Sequence, residues 1–519
     1  MSIYLGLDSS TQGLKAEIID VSKGEVIFSK GINFGRDLPE YKCSDGFLDN
    51  ADPLIKHADP LVWVAALDLL FSQMQQAGAP LAEVAGISGS GQQHGSVYLN
   101  DGLASILAKL NPAKHLPVKI VPALSRMTSP IWMDSSTVLE CEELEEEFGE
   151  RLREETGSPA IARFTGPQIR KFWKEDPAGY EKTATIHLVS SFLCSVLCGQ
   201  STPIDYGDGA GMNLLNLQTL KWDEEICEFT APGLAGKLPA AVASNTIAGG
   251  LSTYFTKYGF KEGTPVAVWS GDNPNSLVGT GASGPGHAVI SLGTSDTFFA
   301  AMQKPVTDPD GCGHVFGNPA GSFMSLICFT NGSLAREKVR DMCQVDWDFF
   351  DNEACKLTPP GNNGNMLLPY FTSETTPLVF VPKVVYKGSD DFVHGKADAG
   401  TMIRAILESQ ALSMRLHSSW IGEDFSRIRV TGGASQCGDF RQILADVFQA
   451  SIEQITVTDS AGLGAAMRAA NAVAGISFAD LGAAFAGTLD VTEPNPANAT
   501  VYHRALQDFK EFEASANVD

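Results

Sequence analysis

With 519 residues, 44% of them hydrophobic and 19% charged, the chain is too long for one ordinary core, and two domains are expected. Its formal charge of -24 argues against a nucleic-acid surface or an anionic membrane, because both would repel so acidic a body. No run reaches the roughly 18 apolar residues of a membrane span. The opening Met1-Ser-Ile-Tyr-Leu-Gly6 shows no basic region or cleavage site, and ten cysteines fall without a CxxC pair or metal-ligand spacing, so a cytoplasmic protein with reduced, structural thiols is expected.

The chain opens as a β-hairpin, with strands over 3–7 and 15–21 around the polar turn Asp8-Ser-Ser-Thr-Gln-Gly13, and a third strand over 25–29. Asp59 offers an N-cap with Pro60 at the first helical position, and Trp63, Ala66, Leu67, Leu70, Phe71 and Met74 recur at helical spacing up to Gly78. A strand over 84–88 then runs into the loop Gly89-Ser-Gly-Gln-Gln-His-Gly95, the kind of strand edge at which ligand sites form.

Residues 137–155 read as one acidic helix with an apolar stripe of Leu139, Leu144, Phe148 and Leu152, its charges forming a solvated face. A short apolar helix over 189–198 carries Cys194 and Cys198. A second pass begins near Thr264, with a strand over 265–269, the loop Ser270-Gly-Asp-Asn273, and a hairpin of strands 288–292 and 296–302 about Gly293-Thr-Ser295. A helix over 399–420, a strand over 428–431, the turn Gly432-Gly-Ala-Ser435 and a helix over 438–449 follow, and near 508–519 a helix gives way to a frayed end. Two α/β halves, each opening on a hairpin with a tip rich in Ser, Thr and Gly, suit a duplicated phosphate grip, since backbone amides at such tips form anion nests. Turn sterics alone call for the same residues.

There is no GxxxxGK[ST], HExxH or GxSxG. Gly279-Thr-Gly-Ala-Ser-Gly284 has the GxGxxG spacing, but it follows an expected helix rather than the first strand of a βαβ unit, which speaks against a dinucleotide site.

Nine blocks in order resemble the FGGY family of carbohydrate kinases, within the actin-like ATPase superfamily, and most closely its xylulokinase group. They are Leu5-Gly-Leu-Asp-Ser-Ser-Thr-Gln12, Gly91-Gln-Gln-His-Gly-Ser96, Trp132-Met-Asp-Ser-Ser-Thr137, Arg163-Phe-Thr-Gly-Pro-Gln-Ile169, Asp205-Tyr-Gly-Asp-Gly-Ala-Gly211, Gly271-Asp-Asn273, Ser291-Leu-Gly-Thr-Ser295, Asn331-Gly-Ser-Leu-Ala-Arg-Glu337 and Thr431-Gly-Gly-Ala-Ser435. The resemblance implies two actin-like (ribonuclease H-like) α/β domains flanking a deep cleft, 1–262 mainly for the sugar and 263–519 mainly for ATP and the catalytic base. It implies ATP and Mg²⁺ as cofactors and a small sugar as substrate, xylulose before ribulose, fructose, erythrulose or glycerol. It is compatible with a homodimer.

Residue by residue, the resemblance makes Asp272 the general base, against the alternative of a helix-capping carboxylate. Asp8 becomes a holder of Mg²⁺, against a turn aspartate. Ser10, Thr11 and Gln12 would meet the phosphates from one side and Gly293, Thr294 and Ser295 from the other. Gln93, His94, Arg163 and Asn273 would contact the sugar, with Met133 and Asp134 lining the same region; His94 can both donate and accept. The rival for Arg163 is a surface side chain paired with the acidic helix. Gly432, Gly433 and Ala434 would lie against adenosine, with Trp347 either stacked on the base or in the core. Gln168 stands where many relatives carry Lys, and Met133 and Ser135 replace the usual Asn and Gly. Two rivals remain: an actin-like ATPase that drives conformational change, which has no use for Gln92-Gln-His-Gly95 beside Asp272, and a sugar-binding regulator without catalysis, which has no use for both Asp8 and Asp272.

Overall fold

The computed structural model describes residues 2–457 and 459–516. Strand Ile3–Ser9 is buried along its whole length because helices cover both of its faces. Leu5 and Leu7 pack with Trp63, Leu67 and Phe71 of helix Pro60–Gln76, while Tyr4 on the other face packs with Ala466, Met467 and Ala470 of helix Ser460–Ala474. Asp59 caps the first of these helices, its carboxylate accepting from the Leu61 N–H at 2.9 Å. The second comes so close that a Cβ on Gly6 would lie 2.1 Å from the Gly462 carbonyl oxygen, so only glycine fits there.

The first sheet runs in the order Ile247–Gly250, Pro265–Ala267, Gly86–Gly91, Ile3–Ser9, Gly13–Asp20, Glu25–Asn33, with Ser270–Gly271 also paired to Gly86–Gly91. The second runs His314–Gly317, Phe323–Phe329, Asp296–Met302, His287–Leu292, Arg427–Thr431, Ser451–Ile455, Thr488–Thr492. Two α/β halves, each with the expected hairpin, are thus present.

Several expectations are corrected. The segment 265–271 completes the first sheet instead of opening the second: Val266 sits opposite Ile87, Ser270 opposite Ser90 and Gly271 opposite Gly91. The second sheet starts at His287, and a division at 262/263 would cut the first sheet. The single acidic helix over 137–155 is two helices, Val138–Phe148 and Glu150–Thr156, broken where Gly149 takes φ +50. Leu144, Phe148 and Leu152 are buried as expected, but Leu139 is exposed. Its acidic face is not simply solvated, for Glu143 pairs with Arg170 at 2.5 Å and Lys174 at 2.8 Å, and Glu140 with Lys174 at 3.0 Å. The helix placed over 399–420 closes at His417. The last helix is Ala499–Ala516; the frayed end expected beyond it lies outside the described residues. All ten cysteines are free, and among the described residues no helix is long and apolar enough to cross a membrane.

Candidate active site

Four of the expected sugar-side residues meet where strand Gly86–Gly91 ends. His94 adopts φ +70, and its ring stacks on Phe164 with centroids 4.1 Å apart. Its Nδ1 lies 2.7 Å from the Gly211 carbonyl oxygen, which can only accept, so Nδ1 carries the proton and Nε2 is left as an acceptor. Burial, then the nearby charge of Arg163, holds the imidazole well below its ordinary range and therefore neutral. The sequence allows His94 to donate and accept; the fold spends the donor on Gly211 and leaves Nε2 as an acceptor. Gly211 must be glycine here, since a Cβ would lie 2.9 Å from the imidazole.

Gln93 is buried, its Oε1 accepts from Asn273 Nδ2 at 2.7 Å, and its Nε2 has no partner among the described residues. A buried donor without an acceptor is costly unless a ligand supplies one. Asp272 is the first residue of helix Asp272–Gly279, whose N-cap is Gly271. Its Oδ1 accepts from the Asn273 N–H at 2.9 Å and Asn273 Nδ2 at 3.1 Å, and no bond occupies Oδ2 among the described residues. Desolvation, opposed by the Asn273 N–H, pushes the carboxyl up to about 6, above the ordinary value near 4 that a base of this kind needs at minimum.

Asp8 is 6% exposed, and its Oδ1 has no partner among the described residues. Burial, reinforced by the charges of Asp459 and Asp272, raises its carboxyl to about 7; Lys15 opposes this but is itself paired with Asp459 at 3.3 Å. Glu17, beside the same Asp459 and Asp8, is likewise raised to about 7, chiefly by burial. So much crowded negative charge fits a cation. Among the described residues, no group of three His, Cys, Asp or Glu is placed to hold a metal by itself.

Arg163 makes no ion pair among the described residues, so the expected rival, pairing with the acidic helix, is not what forms; Arg170 and Lys174 take those glutamates. Its Nη2 lies 3.4 Å from His314 Nε2, on a strand of the second sheet, and burial lowers the guanidinium pKa. An unpaired cation next to His94 can donate to a polyol.

Asp134 is internally satisfied: Oδ2 accepts from the Lys56 N–H at 2.8 Å, and Oδ1 from the Ser136 N–H, Ser136 Oγ and Gln168 Nε2 at 2.9, 2.6 and 2.7 Å. Burial would raise this carboxyl, yet these bonds and His57 hold it below the usual carboxylate range. Gln168 thereby acquires a role as a brace for the loop, and Asp134, with its oxygens occupied, holds that loop in place more than it presents a free oxygen. Met133, 37% exposed, sits in that loop beside Trp132, whose Nε1 donates to Thr11 Oγ1 at 2.8 Å. Ser10 Oγ donates to the Gly13 carbonyl at 3.3 Å, and Gln12 is exposed at the hairpin tip.

In the second half, Thr294 and Ser295 are exposed at the tip that follows Gly293. Gly432 reaches the same edge, since Ser291 pairs with Thr431 and a Cβ on Gly432, at φ +89, would lie 2.3 Å from the Leu292 carbonyl oxygen. Gly433 is open and Ala434 half-buried beside it. Trp347 is 42% exposed, which removes the core alternative; the Arg340 guanidinium lies 4.5 Å over its ring, and its helix meets the 432–437 turn through the Cys437 thiol on the Asp351 carbonyl. Sequence reasoning missed Asp459, Glu17, Trp132 and His314. Two of them left a signal: Asp459 is an N-cap aspartate before a run of small residues, and Trp132 opens the block Trp132-Met-Asp-Ser-Ser-Thr137.

Profiles of the FGGY family of carbohydrate kinases match this chain, the N-terminal domain over residues 127–279 and the C-terminal domain over 288–473. Xylulose kinase of Rattus norvegicus is 39% identical over 522 residues, covering 98% of this chain and 96% of the relative. The chain belongs to the FGGY family of carbohydrate kinases. Xylulose kinase 2 of Arabidopsis thaliana is also 39% identical to this FGGY kinase, over 91% of it and 87% of the plant protein. The fold matches the xylulose kinase crystal structure from Rhodospirillum rubrum with TM-score 0.84 at 20% identity, covering 99% and 98% of the two chains.

Proposed function

We propose that this kinase transfers the γ-phosphoryl group of ATP to D-xylulose, giving D-xylulose 5-phosphate and ADP. The observation that carries the substrate is the near-full-length likeness, at 39% identity, to xylulose kinases of an animal and a plant. The site chemistry is consistent with it: three groups with spare capacity converge, a donor at Gln93 Nε2, an acceptor at His94 Nε2 and a cation at Arg163, with the open oxygen of Asp272 beside them.

In this reading Gln93, His94, Arg163 and Asn273 orient the sugar so that one hydroxyl faces Asp272 Oδ2. Asp272 accepts that proton as the oxygen bonds to phosphorus, and ADP departs with the other oxygen of the broken P–O bond. Asp8 would hold Mg²⁺ beside the phosphates, where the ion supplies charge neutralisation. The tips at 10–12 and 293–295 grip the phosphates, and Gly432, Gly433, Ala434 and Trp347 take adenosine. We place the division of labour between Gly279 and His287, with the sugar held mainly before it and ATP after it. A cytoplasmic setting belongs to the same reading, supported by ten unpaired cysteines.

The test is kcat/KM for xylulose, ribulose, fructose, erythrulose and glycerol at saturating ATP. Xylulose should rank first; a wide margin for glycerol or a hexulose overturns the sugar assignment while leaving the kinase.

A further inference from the structure

The block Asn331-Gly-Ser-Leu-Ala-Arg-Glu337 has no role assigned to it in holding sugar or nucleotide, yet it packs directly against the Gly293–Thr294–Ser295 tip. Asp296 follows the tip 293–295 directly and is buried, as is Arg336 on helix Ser333–Cys343. The Arg336 guanidinium grips Asp296 at two points, Nη1 to Oδ2 at 2.7 Å and Nη2 to Oδ1 at 3.0 Å, and Nη1 also donates to Gln410 Oε1 at 2.8 Å. Gln410 turns its own amide back on the block, donating to the carbonyls of Asn331 and Gly332 at 2.8 and 3.1 Å. The Ser333 N–H donates to the Gly293 carbonyl at 2.9 Å, and a Cβ on Gly332 would lie 2.7 Å from the Thr294 carbonyl oxygen. Glu374 fixes the far side of the block, accepting from the Asn331 N–H at 3.0 Å and from Asn331 Nδ2 at 2.9 Å.

We infer that Arg336, with Asp296 and Gln410, is a positioning cluster that sets the Gly293–Thr294–Ser295 tip for the phosphates of ATP. This rests on the reading of that tip as a phosphate contact. A buried charge pair held at two points has one geometry only, whereas the exposed tip alone has many, so the cluster trades conformational freedom of the tip for a fixed array of amides. Every bond in it ends on the tip, on the Asn331–Gly332 backbone or on the brace behind them, and none points to the sugar.

The experiment measures KM for ATP, KM for the sugar, kcat, Mg²⁺–ADP affinity by calorimetry, and Tm for Arg336→Lys, Gln410→Leu and Gly293→Val. Arg336→Lys keeps the charge and loses the two-point grip, and should raise KM for ATP and weaken ADP binding by about 10- to 100-fold with KM for the sugar within about twofold. Gln410→Leu, which leaves the ion pair intact, should shift the same quantities less, and decides the matter if Arg336→Lys does not fold. A lower Tm with unchanged ATP and ADP parameters in both variants makes the cluster merely structural and overturns the inference. Gly293→Val separates the two levels. If it leaves ATP binding unchanged, the tip is no phosphate contact and both readings fall; if it weakens ATP while the cluster variants do not, only the positioning inference falls.

Discussion

The side-chain amide of Asn273 donates to Gln93 Oε1 at 2.7 Å, joining residues 180 positions apart in the chain. Through it the loop that follows strand Gly86–Gly91 and the helix that starts at Asp272 share one frame. In the proposed reading, the sugar-contacting loop and the base are therefore registered against each other before a ligand arrives. Replacing Gln93 by Leu removes the acceptor that orients Asn273 and the spare donor together. We expect KM for the sugar to rise and kcat to fall, with kcat/KM lower by about 10- to 100-fold and KM for ATP little changed. Steady-state kinetics with each substrate varied in turn checks this.

Asp272→Asn keeps the size of the side chain but cannot take a proton. Phosphorylation should drop by about 10²- to 10⁴-fold while sugar binding, measured by calorimetry, survives. Strong residual turnover would sink the assignment of the base.

A base must be ionised to act, so if Asp272 is the proposed base, with its carboxyl raised to about 6, kcat/KM should fall about tenfold per pH unit below that value and level off above it. A pH–rate profile whose acid limb lies near 4 would show that the group is not desolvated in the working enzyme.

Asp8 and Glu17, both raised to about 7, bind protons more tightly folded than unfolded. Their contribution to stability is present at acid pH and lost as pH rises from about 4 through about 7, the reverse of a salt-bridged carboxylate. The metal-free protein should thus lose Tm from these two groups between pH 6 and pH 8. Mg²⁺ with ADP should restore more at pH 8 than at pH 6, since protons compete for the same oxygens. Scanning calorimetry at both pH values, with and without Mg²⁺–ADP, reads this directly, and Asp8→Asn should shrink the difference.

Arg468 is fully buried and donates to the carbonyls of Val268 and Ser244 at 2.9 and 3.1 Å and to Asn275 Oδ1 at 3.2 Å, with Asp205 at 3.7 Å. Arg468→Met leaves that carboxylate and those oxygens without their cation, and should cost about 3–5 kcal/mol in denaturant unfolding. A change below about 1 kcal/mol would mean that water replaces the guanidinium.

The hairpins, the helix begun by Asp59 and Pro60, and the pairing of a Ser/Thr/Gly tip with each half were legible because local rules and the global fold agree there. The strand expected over 265–269, which the structure forms over Pro265–Ala267, was equally visible, but its sheet was not. An apolar run fits either sheet, and only the register Val266 opposite Ile87 places it. The break at Gly149 was hidden because a glycine inside an acidic helical pattern costs little enough to be carried through or to end a helix. At the site, residue types were readable while their states were not. The tautomer of His94 depends on the Gly211 carbonyl, and the charge crowding at Asp8 on Asp459, partners 117 and more than 400 residues away. Likewise Asp134 looks like a ligand in sequence, and only its four donors show its oxygens to be spoken for.

Helix Ser460–Ala474 lies on the face of the sheet that Ile3–Ser9 begins, with Gly6 set against Gly462 and Gly279 against Ser460. The ribosome makes the first strand early and its cover late. Until residue 474 emerges, Tyr4, Ile19 and Val278 have no apolar partner from that helix, so the N-terminal half waits for the C-terminal half before its sheet is closed on both sides. A chain stopped short of residue 460 should expose that face and be cleared or aggregate, and the two halves should not fold when expressed as separate pieces, however cleanly the family profiles divide them.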